Sequence, residues 1–168
     1  MIVGNGDIAK EIKDKDDLLF FASGVSNSKE IRESEFLREE AKLFEIMDEY
    51  PDAHVVYFST LSIFYTETPY TKHKKKMEKM ILGFKNHTII RLGNITWGTN
   101  PHTLINNLRL QKLRGKELRV DDVYRYICDQ EEFQHWLSMI PKFNCEMNVP
   151  GRRMKVEEIV KEFIFLRK

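Results

Sequence analysis

Three short apolar runs most constrain how this chain can fold. They are "DLLFFASG" (17–24), "AHVVYFST" (53–60) and "HTIIRLGN" (87–94). Each is a nearly continuous apolar stretch, which is typical of a strand that is covered on both faces. We therefore predict three strands buried on both faces, and a further short strand at residues 1–4.

The segment between the first two runs has the periodicity of a helix. In "SEFLREEAKLFEIMDEY" the helix is predicted to begin at Ser34, a residue type that caps helices, and to end before Pro51. Its apolar stripe is Leu37, Ala41 and Phe44, which recur at helical spacing. We expect this stripe to define one face of the helix.

Further helices are predicted over residues 70–85, closing at Gly83, and in the stretches "VDDVYRYICD" and "KVEEIVKEFIFL". Asp121 and Asp122 are the expected caps of the first of these two late helices. Strands that are separated by helices imply a parallel sheet with right-handed crossovers. The predicted fold class is therefore α/β.

The composition argues against several classes of partner. The 27 basic and 26 acidic residues leave a formal charge of +1, so neither nucleic acid nor an anionic membrane is favoured. No apolar run is long enough to span a bilayer, and "MIVGNG" lacks a secretory signal, so we expect a cytoplasmic protein. Cys128, Cys145 and the histidines lack metal-ligand spacing, and no metal site is predicted.

The first motif with chemical meaning is "VGNGDIAKEI", a G-x-G-x-x-A pattern between a strand and a helix. Gly4 and Gly6 would permit a tight turn that lets backbone amides approach a pyrophosphate, and Ala9 would let the helix pack close to the strand. An ordinary strand-to-helix turn is the alternative interpretation of the same residues.

The second motif is the Y-x-x-x-K pattern of Tyr70 and Lys74 in "TPYTKHKKKMEKMI". A tyrosine has a pKa of about 10, and a lysine one helical turn away lowers that pKa by favouring the phenolate. Hydroxyl residues end the strand just upstream, at the rim where a parallel sheet binds ligands. The alternative is a solvated basic helix, on which we expect His73 to be exposed.

Seven blocks of the sequence occur in an order that matches a known family. They are "IVGNGDIAKEI", "DDLLFFASGVSNS", "VVYFSTLSIFY", "PYTKHKKKMEKMI", "IIRLGNITWG", "LRVDDVYRYI" and "NVPGRRMKVEEIVKEF". This ordered set resembles the extended short-chain dehydrogenases/reductases, which include nucleotide-sugar epimerases, dehydratases and reductases. The last two blocks look like the late helices of that family.

The resemblance implies a Rossmann-like three-layer fold and a role for particular residues. Thr60 matches the hydroxyl that binds substrate, with Ser59 and Ser62 as less favoured substitutes. Tyr70 matches the general acid/base, and Lys74 the residue that lowers its pKa and holds the nicotinamide ribose. Asn94 matches a position that contacts the sugar-nucleotide. The implied contacts to NAD or NADP are Gly4, Asn5, Gly6, Asp7, Ile8, Ala22, Ser23, Gly24, Tyr70 and Lys74.

Two departures from the family indicate a minimal member. Only "KEIKDKD" separates the first helix from the "DLLFFASG" strand, so the strands that form the adenosine half of the site have no room. Asp14, Asp16 and Asp17 are instead expected to end the helix turn or to cap the next strand. The family also spaces its glycines more widely than Gly4 and Gly6. The whole chain, residues 1–168, is predicted to be one domain with an abbreviated substrate region from about residue 95.

Two functions remain open at this point. The first is an NAD(P)-dependent nucleotide-sugar epimerase, dehydratase or reductase that uses Thr60, Tyr70 and Lys74. The second is a catalytically degenerate nucleotide or sugar-nucleotide binder of the same fold, acting as an assembly partner. RNA binding through the "KHKKK" helix is disfavoured by the balanced charge. A homo-oligomer, in the form of a dimer, is expected because the shortened sheet leaves the first strand as an edge.

Overall fold

The computed structural model describes residues 1–13, 15, 17–118 and 120–166. The strands are β1 (Ile2–Val3), β2 (Leu19–Phe21), β3 (His54–Thr60), β4 (Asn86–Leu92), β5 (Asn94–Ile95), β6 (Tyr124–Cys128), β7 (Cys145–Val149) and β8 (Arg152–Lys155). The helices are α1 (Asp7–Glu11), α2 (Glu33–Glu49), α3 (Pro69–Ile81), α4 (Leu104–Leu113), α5 (Gln130–Ser138) and α6 (Val156–Val160). A 3₁₀ turn, Leu61–Phe64, follows β3, and a π-helical turn, Lys161–Phe165, continues α6.

The main sheet has five strands in the order β1-β2-β3-β4-β7, and every neighbouring pair is parallel. Helices α2 and α3 bury Leu43 and Met77 against one face of this sheet. Helix α5 buries Phe133 and Leu137 against the other face. The structure is therefore a three-layer α/β Rossmann-like fold, and the three predicted buried strands are confirmed.

The sheet is shortened at the predicted place. Strand β2 pairs directly with β1, and only residues 12–18 connect α1 to β2. A second strand and its helix cannot fit into that connection, because a crossover between parallel strands needs about a dozen residues. Strand β1 is consequently an edge of the sheet. Asp17 lies in the connection and pairs with Lys142 at 3.1 Å, whereas Asp14 and Asp16 lie outside the described residues.

A second, three-stranded sheet corrects the prediction of a helix in "VDDVYRYICD". Strand β6 is parallel to β5 and antiparallel to β8, with Tyr124 opposite Lys155. Asp122 caps no helix and instead accepts a hydrogen bond from Lys155 Nζ at 2.9 Å. The prediction was wrong because the partner strand β8 lies far along the chain, where local periodicity carries no information about it. Likewise "NVPGRRMK" forms β7 and β8, and the late helix begins only at Val156.

The buried face of α2 also differs from the predicted stripe. Leu37 and Phe44 are 54% and 58% exposed, and Ala41 is exposed beside them. The buried positions of α2 are Glu39, Leu43 and Ile46, which have the same i, i+4, i+7 spacing. The prediction failed because one of the core positions holds a charged residue, which an apolar pattern cannot reveal. The helix also begins at Glu33, one residue before Ser34.

No helix within the described part of the chain combines the length and the apolar character that crossing a bilayer requires.

Candidate functional site

A reciprocal cap fixes the first turn of helix α3. Thr68 Oγ1 accepts a hydrogen bond from the Thr71 amide at 3.2 Å, and Thr71 Oγ1 accepts one from the Thr68 amide at 2.9 Å. Pro69 occupies the first helical position, where its missing N–H costs no hydrogen bond. This start puts Tyr70 and Lys74, one turn apart, on the buried face of the helix.

Lys74 is 2% exposed, and other side chains bind its ammonium group. Its Nζ donates to Glu39 Oε1 at 2.9 Å and to the Tyr57 hydroxyl at 3.0 Å. The same nitrogen lies 5.9 Å from the centre of the Tyr70 ring. Lys74 is therefore beside Tyr70, but the charge that it neutralises is that of Glu39.

Glu39 is fully buried and accepts hydrogen bonds from four donors. The donors are Val25 N (2.7 Å), the Tyr57 hydroxyl (2.8 Å), His73 Nε2 (2.9 Å) and Lys74 Nζ (2.9 Å). Burial opposes ionisation of this carboxyl, but the charge of Lys74 and the hydrogen bonds from His73, Val25 and Lys74 hold its pKa well below its usual range. Glu39 is thus a buried carboxylate with its acceptor sites filled.

His73 belongs to the same cluster, contrary to the expectation that it is exposed. It is 5% exposed, and its ring stacks on Phe36 with 4.6 Å between the ring centres. Its Nδ1 lies 3.6 Å from Glu40 Oε1, on the side away from Glu39. A run of lysines predicted a solvated helix, but residues of α3 one turn apart face α2 and the sheet.

Tyr70 is buried next to Thr60. Burial raises the pKa of the Tyr70 phenol and the negative charge of Glu39 raises it further, while a hydrogen bond with Thr60 acts in the opposite direction. Thr60 Oγ1 also lies 2.8 Å from Ser62 Oγ and accepts a hydrogen bond from the Ser62 amide at 3.2 Å. The net shift makes this phenol a weaker acid than free tyrosine.

The G-x-G-x-x-A segment does turn directly into a helix. Gly4 has a φ of +127°, and a β-carbon there would collide with the carbonyl of Ala22 on the neighbouring strand, so only glycine fits. Gly6 is the N-cap of α1. The Asp7 carboxylate accepts hydrogen bonds from the amides of Thr99 and Asn100 at 3.1 and 2.9 Å.

The 97–100 segment therefore covers the start of α1. Trp97 Nε1 donates to the Asp7 carbonyl at 3.3 Å, and its ring packs on Phe133 with 5.1 Å between centres. Gly98 has a φ of +86°, and a β-carbon there would meet the Asp7 side chain. The turn that the sequence assigned to a pyrophosphate is occupied by contacts within the chain.

Residues 22–24 leave the end of β2 towards the Lys74 cluster. The Ala22 amide donates to the Val3 carbonyl at 2.8 Å, which ties this segment to β1. Ser23 presents its carbonyl to Arg38 Nη1 at 3.2 Å. A β-carbon at Gly24 would lie 2.7 Å from Lys74 Nζ and 2.9 Å from Glu39 Oε1. The space above Gly24 is filled by this ion pair.

Asn94 has a structural partner in the second sheet. Its Nδ2 donates to the Tyr126 carbonyl at 3.0 Å, between strands β5 and β6. The half-buried side chain thus ties β5 to β6 within the three-stranded sheet, just after β4 ends.

The structure brings Thr60, Tyr70 and Lys74 to one end of β3 and α3. Sequence reasoning missed Glu39 and Tyr57, which engage Lys74 there. The signal that could have found Glu39 is its position four residues before Leu43 and seven before Ile46, the stripe that is buried in α2.

One open cavity lies beside this cluster. It has a volume of about 180 Å³ and is lined by residues that include Gly24, Asn27, Arg32, Arg38 and His102. Arg32 is held by Glu30 at 2.7 Å, and Arg38 by Glu35 at 3.3 Å. No group of three or more His, Cys, Asp or Glu side chains that could hold a metal ion occurs among residues 1–13, 15, 17–118 and 120–166.

Comparison with known proteins identifies solved structures of the same fold but no relative by sequence. No family model and no curated protein matches this chain. Among solved structures, the enzyme WbmG of Bordetella bronchiseptica in complex with NAD matches with a TM-score of 0.66 at 12% identity, over 87% of this chain and 56% of that chain. UDP-glucuronic acid 4-epimerase from Bacillus cereus in complex with NAD matches with a TM-score of 0.65 at 15% identity, over 94% and 61%.

UDP-glucose 4-epimerase from Bifidobacterium longum, in complex with NAD⁺ and UDP, matches with a TM-score of 0.64 at 15% identity, over 94% of this chain and 65% of that chain. This chain thus spans about three-fifths of the length of these three enzymes. The chain has the fold of the extended short-chain dehydrogenases/reductases, in a shortened form, as its sequence blocks predicted. At such identities the likeness establishes the fold alone.

Proposed function

We propose that this chain is a catalytically degenerate nucleotide or sugar-nucleotide binding protein with an extended short-chain dehydrogenase/reductase fold. The observation that carries this proposal is the engagement of Lys74 by Glu39 and Tyr57, at 2.9 and 3.0 Å. An ammonium that is bound within the protein core is not free to hold a cofactor ribose or to activate a phenol.

The acid–base chemistry of Tyr70 supports the same conclusion. A tyrosine that exchanges protons with substrate near neutral pH needs a lowered pKa. Here burial and the charge of Glu39 raise the pKa of Tyr70 instead. The nearby cation cannot offset this effect, because its charge is compensated by the carboxylate that it contacts.

The residues that the resemblance assigned to NAD or NADP do not fit that cofactor in this arrangement. Lys74 and Glu39 fill the space above Gly24, and the Asp7 carboxylate lies at the turn where a pyrophosphate would bind. Two negative groups at one turn repel each other, and the adenosine-side strands are missing. We therefore assign no hydride-transfer step to this site.

The cavity beside Gly24 is the proposed contact for a phosphorylated ligand. Arg32, Arg38 and His102 line it together with Glu30 and Glu35, which pair with the two arginines. Guanidinium groups bind phosphate oxygens in pairs, so a phosphate would compete with these carboxylates for the two arginines. Its volume of about 180 Å³ suits part of a sugar-nucleotide, such as a phosphate with its sugar, rather than a whole dinucleotide.

Thermal unfolding with added ligands tests this function. UDP and UDP-glucose should raise the midpoint temperature, since saturation at about 100 times Kd stabilises a protein by about 2.7 kcal/mol. NAD⁺ should not raise it. Arg38→Ala should reduce the UDP effect, whereas Lys79→Ala, on the outer face of α3, should not. If neither UDP nor UDP-glucose raises the midpoint temperature, the proposal is contradicted.

A second candidate function is the NAD(P)-dependent epimerase, dehydratase or reductase reaction through Thr60, Tyr70 and Lys74. The hydrogen bond between Thr60 and Tyr70, and the position of Lys74 on the same face of α3, favour it. Turnover of a nucleotide-sugar with NAD(P), abolished in a folded Tyr70→Phe variant, would establish this function in place of the first.

A second copy of the chain is the proposed assembly partner. Leu37, Ala41 and Phe44 form an exposed apolar row on α2. Outside the buried core, helix α2 has six acidic and two basic residues and α3 has four lysines, so α2 of one copy complements α3 of another. Sedimentation should reveal a dimer that Phe44→Glu dissociates and Leu113→Glu, at an 81% exposed position of α4, does not. A dimer that survives Phe44→Glu would point to the β1 edge.

A further inference from the structure

The carboxylate of Glu39 lies where four elements meet. It reaches from α2 to the Val25 amide after β2, to the Tyr57 hydroxyl on β3, and to His73 and Lys74 on α3. A buried carboxylate is tolerated only when its acceptor sites are filled, and all four partners lie within 2.9 Å. These four hydrogen bonds therefore fix the position of the Glu39 side chain.

The ion pair of Glu39 and Lys74 also closes a space. Gly24 has no side chain, yet a β-carbon on it would come within 2.7 Å of Lys74 Nζ and 2.9 Å of Glu39 Oε1. A glycine at the end of a strand permits the close approach of another group. In this chain the group that approaches is the ion pair.

We infer that Glu39 is the residue that closes the site: it holds Lys74 in the core and excludes a nicotinamide dinucleotide from the space above Gly24. This inference rests on the proposed function, because it explains why the dinucleotide does not bind. Glu39 acts through Lys74 and through the volume that it occupies, so it is a positioning residue.

Removal of the carboxylate should open the site. In Glu39→Ala the space above Gly24 gains the volume of the lost side chain, and Lys74 loses its negative partner. Without Glu39, Lys74 Nζ keeps only the Tyr57 hydroxyl, at 3.0 Å, of its two hydrogen-bond partners and can donate to a ligand oxygen instead. Compared with the wild type, the variant should therefore have a Lys74 that is more accessible to reagents and a higher affinity for a nicotinamide dinucleotide. Asp7 at the first turn and the short connection between α1 and β2 still weaken that affinity.

The experiment compares the full-length wild type, Glu39→Ala and the control Glu40→Ala. Glu40 is the adjacent carboxylate of α2, pairs with Lys76 at 2.6 Å and lies 3.6 Å from His73 Nδ1. Its removal changes the charge of α2 by the same amount but leaves both hydrogen bonds of Lys74 in place. NADH binding is followed by its fluorescence, and the rate of amine labelling at Lys74 by mass spectrometry. We expect Glu39→Ala to bind NADH at least about tenfold more tightly than the wild type and to label faster at Lys74. Glu40→Ala should match the wild type in both.

The outcomes separate this inference from the proposed function. Tight NADH binding by the wild type would overturn both. UDP binding by the wild type, with no NADH binding by Glu39→Ala, would overturn the inference alone. If Glu39→Ala does not fold, Glu39→Gln keeps the volume and loses the charge. In Glu39→Gln, Lys74 should be labelled faster than in the wild type, while NADH remains excluded. An unchanged labelling rate in Glu39→Gln would overturn the inference.

Discussion

The two faces of the main sheet share the same strands but are stabilised by different interactions. On the α5 side, Phe58 of β3 packs on Phe133, with 5.9 Å between ring centres, in an apolar cluster. On the α2–α3 side, the neighbouring residue Tyr57 donates a hydrogen bond to Glu39. Adjacent residues of a strand point to opposite faces, so a one-residue step along β3 separates two different cores. The core on the α5 side is mainly apolar, with a hydrogen bond of 2.8 Å between His54 and Thr88, whereas the core on the α2–α3 side contains a buried ion pair.

The two faces therefore differ in the substitutions that they tolerate. Apolar packing tolerates changes that preserve volume, whereas a buried ion pair requires both partners. The α2–α3 side carries the Y-x-x-x-K pattern of Tyr70 and Lys74. The charged residues on this side bind one another. Tyr70 and Lys74 therefore keep the Y-x-x-x-K spacing, while Lys74 contacts Glu39 and Tyr57.

The largest expected effect comes from breaking the ion pair on one side only. Lys74→Met leaves Glu39 as a buried charge with reduced compensation, and we expect it to lower the free energy of unfolding by about 3–5 kcal/mol, measured by urea denaturation. The double variant Glu39→Gln with Lys74→Met should recover a large part of that loss, because neither charge remains. A double variant as unstable as the single one would contradict the role of the pair.

The pH dependence of stability should differ between the two faces. The pKa of Glu39 is lowered from its ordinary value of 4.5, so its contribution to stability is present above about pH 4.5 and declines as the pH falls towards its folded-state value. The wild type should therefore lose stability below pH 4.5 more steeply than Glu39→Gln. Leu137→Ala, on the apolar face, should be less stable than the wild type by a nearly constant amount at every pH between 3 and 7. A wild-type and Glu39→Gln difference that does not change with pH would contradict this assignment.

The smallest effect tests how α3 is positioned. Thr68→Ala removes the side-chain half of the cap and should cost about 1 kcal/mol of stability by thermal unfolding. Thr66→Ala, just before the helix, is the matched control and should cost less. An equal loss in both variants would indicate that the cap does not fix the start of α3.

The sequence predicted some elements of the fold correctly and others wrongly. The runs around Phe20, Val56 and Ile90 predicted their strands correctly, because burial on both faces leaves a local apolar signature. Strand β6 was mistaken for a helix, because the residues of β8 that pair with it lie 25 to 31 positions further along the chain. The prediction of the buried face of α2 was wrong because Glu39 occupies a core position.

The sequence by itself determined the α/β class, the parallel sheet and the absence of room for the adenosine-side strands, since these depend on local apolar patterns and on segment length. It also determined that Tyr70 and Lys74 share a face of one helix. Only the tertiary structure decided what Lys74 contacts. That contact depends on the rotation of α2 against α3. The energy of the buried carboxylate depends on four donors from three separate segments, namely the loop after β2, strand β3 and helix α3, which no local pattern records.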